Sequence, residues 1–311
     1  MRIALQFDTP QLRKEIAKIA PEAEVVLLPA DGSLNIKKPV DVVLATPAGS
    51  EQMARLLAVT PNLSWVHIMG TGVDAYPLNL LTGRCVTCSK GSTAVPIAEW
   101  VLAMILAHTK QLPNSWIKQP PACWYNADLD SLEGKTLGLI GFGQIGQAIA
   151  KRALAFDMRV IAVVRNFRPS PMAGVEFIKK IEQLLPRADH LVLALPATRQ
   201  STGLIGAQQL ALMKPNSHLI NISRAAILNQ TALKNALDNG HIAQASLDVV
   251  EPEPLPEGHW IYQHPKVKLS PHISWNAPFS YQRMINPFLD NLSRWIAGTP
   301  LRGMVDTQAG Y

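Results

Sequence analysis

Arg224, Glu253 and His272 each follow a short apolar segment in the second half of the chain, and together they could do acid–base chemistry. Because the carboxyl ends of parallel strands meet at one edge of a sheet, three parallel strands would bring these side chains together. An arginine there can bind a carboxylate substrate, and a carboxylate can tune a histidine that moves a proton. The residue types alone leave the assignment open, since the chain has 8 histidines and Glu251 competes with Glu253 for the carboxylate role.

A glycine-rich turn is the element around which these residues must be arranged. Gly141, Gly143 and Gly146 have the spacing G-x-G-x-x-G, between a predicted strand at residues 136–140 and apolar residues at helical intervals. In such a turn the first glycine permits the bend, the second lets the backbone approach a pyrophosphate, and the third lets the helix pack on the strand. A purely structural turn is the alternative. The order of strand, turn and helix, followed by a second predicted strand at 159–164, favours a dinucleotide site.

Arg165, Asn166 and Arg168 stand where that second strand ends. An NAD-binding protein usually carries an Asp or Glu roughly 20 residues after the glycines, which holds the ribose 2′-hydroxyl. Here two guanidinium groups replace the carboxylate, and guanidinium groups suit bidentate binding of a phosphate. The alternative is that both arginines are solvated loop residues that bind no phosphate. We expect a preference for NADPH over NADH.

Strand and helix patterns alternate along the chain, which predicts parallel sheets with helices on their faces. Strands are predicted at residues 3–7, 25–28, 42–45, 65–69, 136–140, 159–164, 190–195, 217–222 and 243–250, and one more short apolar strand is predicted before His272. Helices are predicted from Thr9 and Pro10 onward, and at residues 51–59, 94–112, 181–185, 207–213 and 230–239. A last helical pattern, 277–297, contains Pro287, which should bend or restart the helix.

A second glycine-rich turn, Gly70 to Gly72, follows the predicted strand at 65–69. It lies at a strand end, where open α/β sheets bind ligands, and its backbone amides could hold a small carboxylate. Thr71 and Gly72 are therefore candidates for substrate binding. A tight turn that only leads into a loop is an equally good interpretation of this segment.

Composition and charge limit the possible functions. A chain of 311 residues with 48% hydrophobic content can form two α/β domains. The net charge is +6, but the 29 Lys and Arg residues form no basic run, which favours an anionic cofactor and substrate over nucleic acid. The longest apolar stretch, 94–112, contains Glu99, His108 and Lys110 and predicts a buried helix, not a membrane span.

The 3 cysteines predict neither a metal site nor a redox pair. Cys85 and Cys88 have C-x-x-C spacing, but no second pair and no histidine stands at metal-ligand spacing. The first apolar segment is too short before Asp8 to be a signal sequence and predicts a strand. We expect no metal and a reducing cytoplasm.

The chain resembles the D-isomer-specific 2-hydroxyacid dehydrogenase family over essentially its whole length. The resemblance lies in the glycine turn, the segment from Asn221 to Arg224, the segment from Leu247 to Pro254, and the sequence Ser-Pro-His ending at His272. The arginines at 165 and 168 and the ending at 305–311 are most similar to the glyoxylate/hydroxypyruvate reductase A branch.

The resemblance implies two doubly wound parallel-sheet α/β domains with a cleft between them. A Rossmann cofactor domain, residues 94–275, would be inserted into a flavodoxin-like substrate domain made of residues 1–93 and 276–311. The family also implies a homodimer, in which Trp124 would approach the substrate site of the partner subunit.

The resemblance also implies a role for each candidate residue. His272 would give a proton to a carbonyl oxygen as hydride arrives from NADPH, and Glu253 would hydrogen-bond its imidazole. Arg224 would bind the carboxylate and carbonyl of a 2-oxo acid, and Asp248 would lie near the nicotinamide carboxamide. The implied cofactor contacts are Gly141, Phe142, Gly143, Gln144, Ile145, Gly146, Arg165, Asn166, Arg168, Leu195, Pro196, Thr202, Ile222, Ser223, Asp248 and Ser274. The implied substrate contacts are Thr71, Gly72, Arg224, His272 and Trp275.

The sequence departs from the family pattern at a few places. Ala225 and Ala226 replace the glycines usual after the arginine, and Asn229 replaces an aspartate. Val250 stands where an aromatic residue is common, and Trp275 stands where small residues are frequent. A bulky Trp275 could narrow or reshape the substrate pocket.

Together these features predict an NADPH-preferring reductase of small 2-oxo acids, which converts glyoxylate to glycolate and hydroxypyruvate to D-glycerate. A reductase of a bulkier 2-oxo acid with the same catalytic residues is one alternative. A non-catalytic NADP(H)-sensing protein, similar to the corepressors that share this fold, is the other.

Overall fold

The structure is a computed structural model that describes residues 1–28, 38–124, 128–165 and 167–311. The chain divides into two compact units. The terminal unit consists of Met1–Thr93 and Ala277–Tyr311, and the central unit is Ala94–Asn276. The second boundary lies one residue beyond the predicted one.

Strands and helices alternate through the described residues. The strands are β1 (Arg2–Leu5), β2 (Glu24–Leu27), β3 (Val42–Ala45), β4 (Trp65–Ile68), β5 (Cys85–Cys88), β6 (Thr136–Ile140), β7 (Arg159–Val163), β8 (Val175–Ile178), β9 (His190–Leu193), β10 (His218–Asn221), β11 (Gln244–Leu247) and β12 (Val267–Leu269). The α-helices are α1 (Pro10–Ile19), α2 (Ser50–Val59), α3 (Ala94–Thr109), α4 (Gln144–Leu154), α5 (Ile181–Leu184), α6 (Ala207–Ala211), α7 (Gln230–Asp238), α8 (Trp260–Gln263) and α9 (Ser280–Ile296). Short 3-10 helices lie at Pro47–Gly49, Leu78–Leu81 and Ala225–Ile227.

The terminal unit is built on a sheet with the strand order β2-β1-β3-β4-β5, in which all pairs are parallel. This is the flavodoxin-like order. Neighbouring residues of β4 serve opposite faces of the sheet: Val66 packs with Met53 of α2, whereas the Trp65 ring stacks on Phe288 and Trp295 of α9. The sheet therefore carries helices on both faces.

Helix α9 is one helix with Pro287 inside it, so of the two predicted outcomes, a bend or a restart, the restart was wrong and the bend stays a prediction. Proline removes one backbone hydrogen bond and crowds the preceding turn. Burial compensates, because Phe288 and Leu292 are fully buried and Met284 is 7% exposed on the apolar side of the same helix.

The central unit is built on seven parallel strands in the order β12-β11-β10-β9-β6-β7-β8. The order reverses at β6, as in a Rossmann fold. Adjacent residues of β6 point into different hydrophobic clusters. Leu139 packs with Ile149 of α4, and Ile140 packs with Leu233 of α7. Both units are therefore doubly wound parallel α/β structures, which confirms the predicted fold class.

The cysteines of the C-x-x-C pair lie at the two ends of β5. Strand residues advance by about 3.3 Å, so the Cα atoms of Cys85 and Cys88 are about 10 Å apart, beyond the reach of a disulfide. Burial raises the pKa of the Cys88 thiol, which disfavours the reactive thiolate.

The described ranges contain no candidate for a membrane span or for a metal site. None of the described helices has both the length and the apolarity that crossing a bilayer requires. Within the same ranges, no set of three or more His, Cys, Asp or Glu side chains could hold a metal ion.

Three histidine rings cluster in the central unit. His190 and His218 are partners in the register of β9 and β10, and His108 of α3 lies against both, with ring centroids 4.7 to 5.9 Å apart. Burial lowers the pKa of His190 to about 4, and it lowers the pKa of His218 well below its ordinary value. Nδ1 of each of these two rings is buried without a hydrogen-bond partner among the described residues. Burial therefore favours the neutral form of the imidazoles in this cluster.

Candidate active site

The residues predicted to bind cofactor or substrate in the central unit follow strand ends. They come after β6 (141–146), β7 (Arg165, Arg168), β9 (Leu195, Pro196, Thr202), β10 (Ile222, Ser223, Arg224), β11 (Asp248, Glu253) and β12 (His272, Ser274, Trp275). Because the strands are parallel, all of these segments emerge at the carboxyl edge, where open α/β sheets bind ligands. Asn166, also predicted to bind the cofactor, lies outside the described residues.

At two of the three glycines in the turn after β6, a side chain would clash with the backbone of neighbouring segments. Gly141 has φ +101°, and a Cβ there would lie 2.4 Å from the carbonyl oxygen of Ala194. A Cβ at Gly146 would lie 2.6 Å from the carbonyl oxygen of Gly141. A side chain at either position would force the backbone apart.

Gly143 is different, because the described residues do not require a glycine there. Its φ is −75°, and a Cβ would meet nothing within 4 Å. Gly143 is the N-cap of α4 and provides no side chain to the first N–H groups of this helix. The open space and the uncapped helix end together fit a pyrophosphate group.

The segment from Asn221 to Arg224 is held by its own polar groups. The Asn221 side chain donates to the carbonyl oxygen of Arg224 at 3.0 Å and accepts from the Ser223 N–H at 3.1 Å. The half-buried Arg224 donates from Nη1 to the Ser223 carbonyl at 2.7 Å, and the Ser223 hydroxyl donates to the Leu195 carbonyl. Asn221, to which no role was assigned from the sequence, therefore fixes the backbone from which Arg224 projects.

His272 and Glu253 are in contact. His272 Nδ1 lies 2.9 Å from Glu253 Oε2, and both side chains are about two-fifths exposed, 42% and 41%. The other carboxylate oxygen of Glu253 accepts from the Val250 N–H at 3.1 Å. Glu253, and not its competitor Glu251, is thus the carboxylate at the imidazole. With Nδ1–H donating to Glu253, Nε2 is the ring nitrogen that can exchange a proton with a substrate.

Asp248 holds the turn that carries His272. This carboxylate is 1% exposed and accepts three hydrogen bonds, from Ser270 Oγ at 2.5 Å, Ile273 N at 2.9 Å and Ser274 N at 3.0 Å. His272, between these donors, has φ +54°, in the left-handed region that side chains other than glycine rarely adopt. Asp248 thereby stabilises an unfavourable backbone conformation at the histidine, a role that the sequence did not predict.

Arg165 and Arg168 follow β7, and both residues are exposed. Trp275 is half-buried and packs against the hydrophobic cluster of α3 and α4, and its indole N–H donates to the His272 carbonyl at 2.9 Å. Trp275 therefore adds a further hydrogen bond to the histidine turn. Trp124 lies on the segment between α3 and β6 and is 62% exposed.

Thr71 and Gly72 belong to the terminal unit, where they follow β4. The preceding Gly70 has φ +95°, as a tight turn requires. Thr71 Oγ1 is buried without a hydrogen-bond partner among the described residues. The hydroxyl is thus a polar group whose hydrogen-bonding capacity the described chain does not use.

Known proteins resemble this chain in sequence. The model of the D-isomer specific 2-hydroxyacid dehydrogenase NAD binding domain matches residues 102–274. A glyoxylate reductase of Thermococcus litoralis is 35% identical over 231 residues, which cover 70% of this chain and 69% of that protein. A D-3-phosphoglycerate dehydrogenase of Mycobacterium bovis is 30% identical over 263 residues, which cover 83% of this chain and 49% of that protein. This chain thus spans about half the length of that relative.

Solved structures resemble it over nearly the whole chain. A D-isomer specific 2-hydroxyacid dehydrogenase of Xanthobacter autotrophicus Py2, in complex with NADPH and MES, has a TM-score of 0.85 and 27% identity and covers 100% of this chain and 99% of its own. An NADPH-dependent glyoxylate/hydroxypyruvate reductase of Sinorhizobium meliloti, in complex with NADP and sulfate, has a TM-score of 0.84 and 25% identity, with the same coverage.

The family model spans more than half of the chain, and it includes the glycine turn, Arg224, Glu253 and His272. The relative from Thermococcus litoralis extends the match to more than two thirds. On these grounds the protein belongs to the D-isomer specific 2-hydroxyacid dehydrogenase family.

Proposed function

We propose that this protein is an NADPH-preferring reductase of small 2-oxo acids, and that it converts glyoxylate to glycolate and hydroxypyruvate to D-glycerate. The observation that carries the proposal is the 2.9 Å contact between His272 Nδ1 and Glu253 Oε2, at the same sheet edge as the half-buried Arg224, which follows the strand two positions away. A proton donor and a cation at one sheet edge are what reduction of a 2-oxo acid needs.

His272 is the proton donor in this proposal. Its Nδ1–H is bound by Glu253, so the carboxylate orients the ring and stabilises the imidazolium. Nε2 then gives its proton to the carbonyl oxygen of the substrate, on which negative charge develops during reduction. In the oxidative direction the same nitrogen takes the proton back.

Arg224 binds the carboxylate of the substrate and polarises its carbonyl. A guanidinium group suits both tasks, since it is always charged and can donate two parallel hydrogen bonds. Asn221 positions it by fixing the local backbone through its bonds at 3.0 and 3.1 Å. Thr71 and Gly72 of the terminal unit stay predicted contacts of the substrate.

The cofactor is held by the turn after β6 and by the arginines after β7. Gly143 and the uncapped start of α4 would hold the pyrophosphate, and Arg165 and Arg168 would hold the 2′-phosphate. When bound, NADPH supplies the hydride. The similar proteins solved in complex with NADPH or NADP support this choice of cofactor. The similarity to glyoxylate and hydroxypyruvate reductases supports the substrate class.

Steady-state oxidation of the cofactor at 340 nm tests the proposal. Glyoxylate and hydroxypyruvate should be reduced with higher kcat/KM than pyruvate or phenylpyruvate, and NADPH should exceed NADH in kcat/KM by at least about tenfold. Comparable values for the two cofactors would contradict the NADPH preference. A preference for phenylpyruvate would keep the chemistry and replace the substrate by a bulkier 2-oxo acid. Binding of NADPH without any turnover would favour the sensing protein.

A substitution at Asp248 tests the support of the histidine turn. Asn at this position presents one acceptor and one donor group, so the N–H of either Ile273 or Ser274 loses its partner. Asp248→Asn should lower kcat for glyoxylate by roughly 10- to 100-fold, because His272 is no longer held in place. Binding of 2′,5′-ADP should stay within about twofold, since the charge of Asp248 does not face that part of the ligand.

The pH profile separates this positioning role from simple damage to the fold. If Asp248 acts through His272, the proton donor of the reduction, the alkaline limb of kcat for glyoxylate should move in Asp248→Asn, and Asp248→Glu should recover part of the activity. Loss of activity without a change in the pH profile, together with weaker 2′,5′-ADP binding, would show that the substitution disturbs the whole site instead.

A further inference from the structure

A groove lies beyond the edge of the central sheet, next to the end of β8. It has a volume of about 420 Å³ and is lined by Phe167, Phe177, Ile178, Lys179, Lys180 and Gln183. We call it the β8 groove. Its floor is apolar and aromatic, whereas its rim carries two lysines, so it fits a flat ring attached to an anionic group.

The register of β7 and β8 aligns this groove with the arginine segment. Val163 of β7 is the partner of Ile178, and the Val164 N–H donates to the Ile178 carbonyl at 3.3 Å. The residues that follow, Arg165 after β7 and Lys179 after β8, therefore leave the same edge side by side.

Lys179 is in contact with the segment after β7. Its Nζ lies 5.0 Å from the centroid of the Phe167 ring, within the range of a cation–π interaction. Both side chains are exposed, and Phe167 is 55% exposed. A large aromatic ring held beside a cation, at a site open to solvent, is available to a ligand.

The charge around the groove favours an anion. Arg165, Arg168, Lys179 and Lys180 contribute four positive charges within two short segments. The carboxylate of β8, Glu176, accepts two hydrogen bonds from the guanidinium group of Arg187, at 2.7 and 2.8 Å. A group with about two negative charges, such as a phosphate monoester, would meet a positive field.

The groove also borders the glycine turn through a contact between two aromatic rings. The Phe177 ring meets the Phe142 ring edge to face, with centroids 4.8 Å apart, and Phe142 stands between Gly141 and Gly143. A ligand with its pyrophosphate at Gly143 could therefore extend past Phe142 toward Phe167 and Lys179.

We propose that the β8 groove binds the adenosine 2′-phosphate end of NADPH, with Lys179 as a phosphate-binding residue that helps to select NADPH over NADH and Phe167 as a surface for the adenine ring. This inference rests on the cofactor preference proposed above. It adds a second strand end, that of β8, to the binding of the 2′-phosphate.

Calorimetric titration with 2′,5′-ADP and with 5′-AMP tests the inference without any turnover. These two probes contain the same adenosine but differ in the 2′-phosphate. Lys179→Met keeps the length of the side chain and removes its charge. It should weaken 2′,5′-ADP binding roughly five- to tenfold and change 5′-AMP binding by less than about twofold.

Lys234→Met is the matched control. Lys234 is also an exposed lysine of the central unit, with Nζ 5.9 Å from the centroid of the Trp260 ring and 2.5 Å from Asp238. Its substitution removes the same charge and the same type of ring contact away from the groove. Binding of both probes should remain as in the wild type.

Phe167→Ala separates the ring from the charge. If Phe167 supports the adenine, this variant should weaken 2′,5′-ADP and 5′-AMP by the same factor, about five- to tenfold. Unchanged binding of both probes would remove Phe167 from the site and overturn that part of the inference.

Three results would overturn the role of Lys179: equal weakening of both probes by Lys179→Met, unchanged 2′,5′-ADP binding in this variant, or failure of the wild type to prefer 2′,5′-ADP over 5′-AMP. Failure of the proposed function has a different signature. In that case the wild type prefers 2′,5′-ADP and Lys179→Met removes the preference, while glyoxylate and hydroxypyruvate are not reduced.

Discussion

Replacement of His272 by alanine should lower kcat for glyoxylate by about 10²- to 10⁴-fold and leave NADPH affinity within about twofold of the wild type. In the proposed mechanism the imidazole acts on the carbonyl oxygen of the substrate, whereas residues after other strands bind the phosphates of the cofactor. Kinetics at saturating NADPH, together with a direct titration of NADPH, measure the two effects separately.

Glu253→Gln is the graded companion to this variant. It keeps a hydrogen-bonding group beside His272 Nδ1 and removes the negative charge, so an intermediate loss of about tenfold is expected. His272→Ala with more than a tenth of the wild-type kcat would show that another group gives the proton. Loss of NADPH binding in the same variant would show that the substitution disturbs the central unit as a whole.

Lowering the pH from 7 to 5 should reduce the free energy of unfolding by about 2 kcal/mol through His190 alone, and by a similar amount through His67 in the terminal unit. Burial lowers the pKa of His190 to about 4 and that of His67 to about 3, from an ordinary value of 6.5. Between these values the unfolded chain binds a proton that the native protein does not bind. The contribution of these two histidines to the free energy of unfolding is therefore fully present above pH 6.5. It decreases as the pH falls from 6.5 toward the pKa of each histidine in the folded protein.

Burial and neighbouring charges together determine the direction in which the pKa of His190 shifts. His108 and Lys135 further lower the pKa of His190, whereas Asp189 and Asp130 partly oppose them. Asp189 is itself occupied by Lys214 at 2.8 Å and by the Thr136 N–H at 2.7 Å. Burial consequently dominates, and the cluster opposes protonation as long as the central unit is folded.

Urea unfolding at pH 7, 6 and 5 and constant ionic strength measures the effect. His190→Gln should reduce the pH dependence of the unfolding free energy by about 2 kcal/mol over this range, whatever its effect at pH 7. His241→Gln is a matched control, since His241 is exposed, and it should leave the dependence unchanged. An unfolding free energy that is constant from pH 7 to pH 5 in the wild type would contradict the account.

Much of the fold could be predicted from short-range patterns. Apolar segments such as Val42–Ala45 were located to the residue, because a buried parallel strand is apolar on both faces. The cap of α1 was also predicted correctly, since Thr9 Oγ1 accepts from the Leu12 N–H at 3.1 Å and Pro10 takes the first helical position. These features depend on neighbours within a few residues.

Two strands were missed, for identifiable reasons. β5 consists of Cys-Val-Thr-Cys, whose spacing drew attention to metal and redox chemistry, and β8 is a four-residue edge strand interrupted by Glu176. Without β8, the position of Lys179 next to the arginine segment could not be predicted. At Pro287, packing of a whole helix face outweighed the local cost of the proline.

In the candidate site, the predictable part was residue identity and the unpredictable part was geometry. The resemblance pointed to Arg224, Glu253 and His272, and their catalytic roles stay predictions. The three hydrogen bonds accepted by Asp248 and the left-handed φ of His272 arise from contacts between β11 and the turn after β12. Such contacts between distant segments follow from the folded sheet, and no local pattern encodes them.

Transfer of deuterium tests the central claim most directly. The wild-type protein would be incubated with glyoxylate and NADPH that carries two deuterium atoms at C4 of the nicotinamide, and the product would be analysed by NMR and mass spectrometry. The account predicts glycolate with one deuterium at C2, formed in equal amount to the cofactor consumed. Glycolate without deuterium, or cofactor that binds but is not consumed, would contradict it.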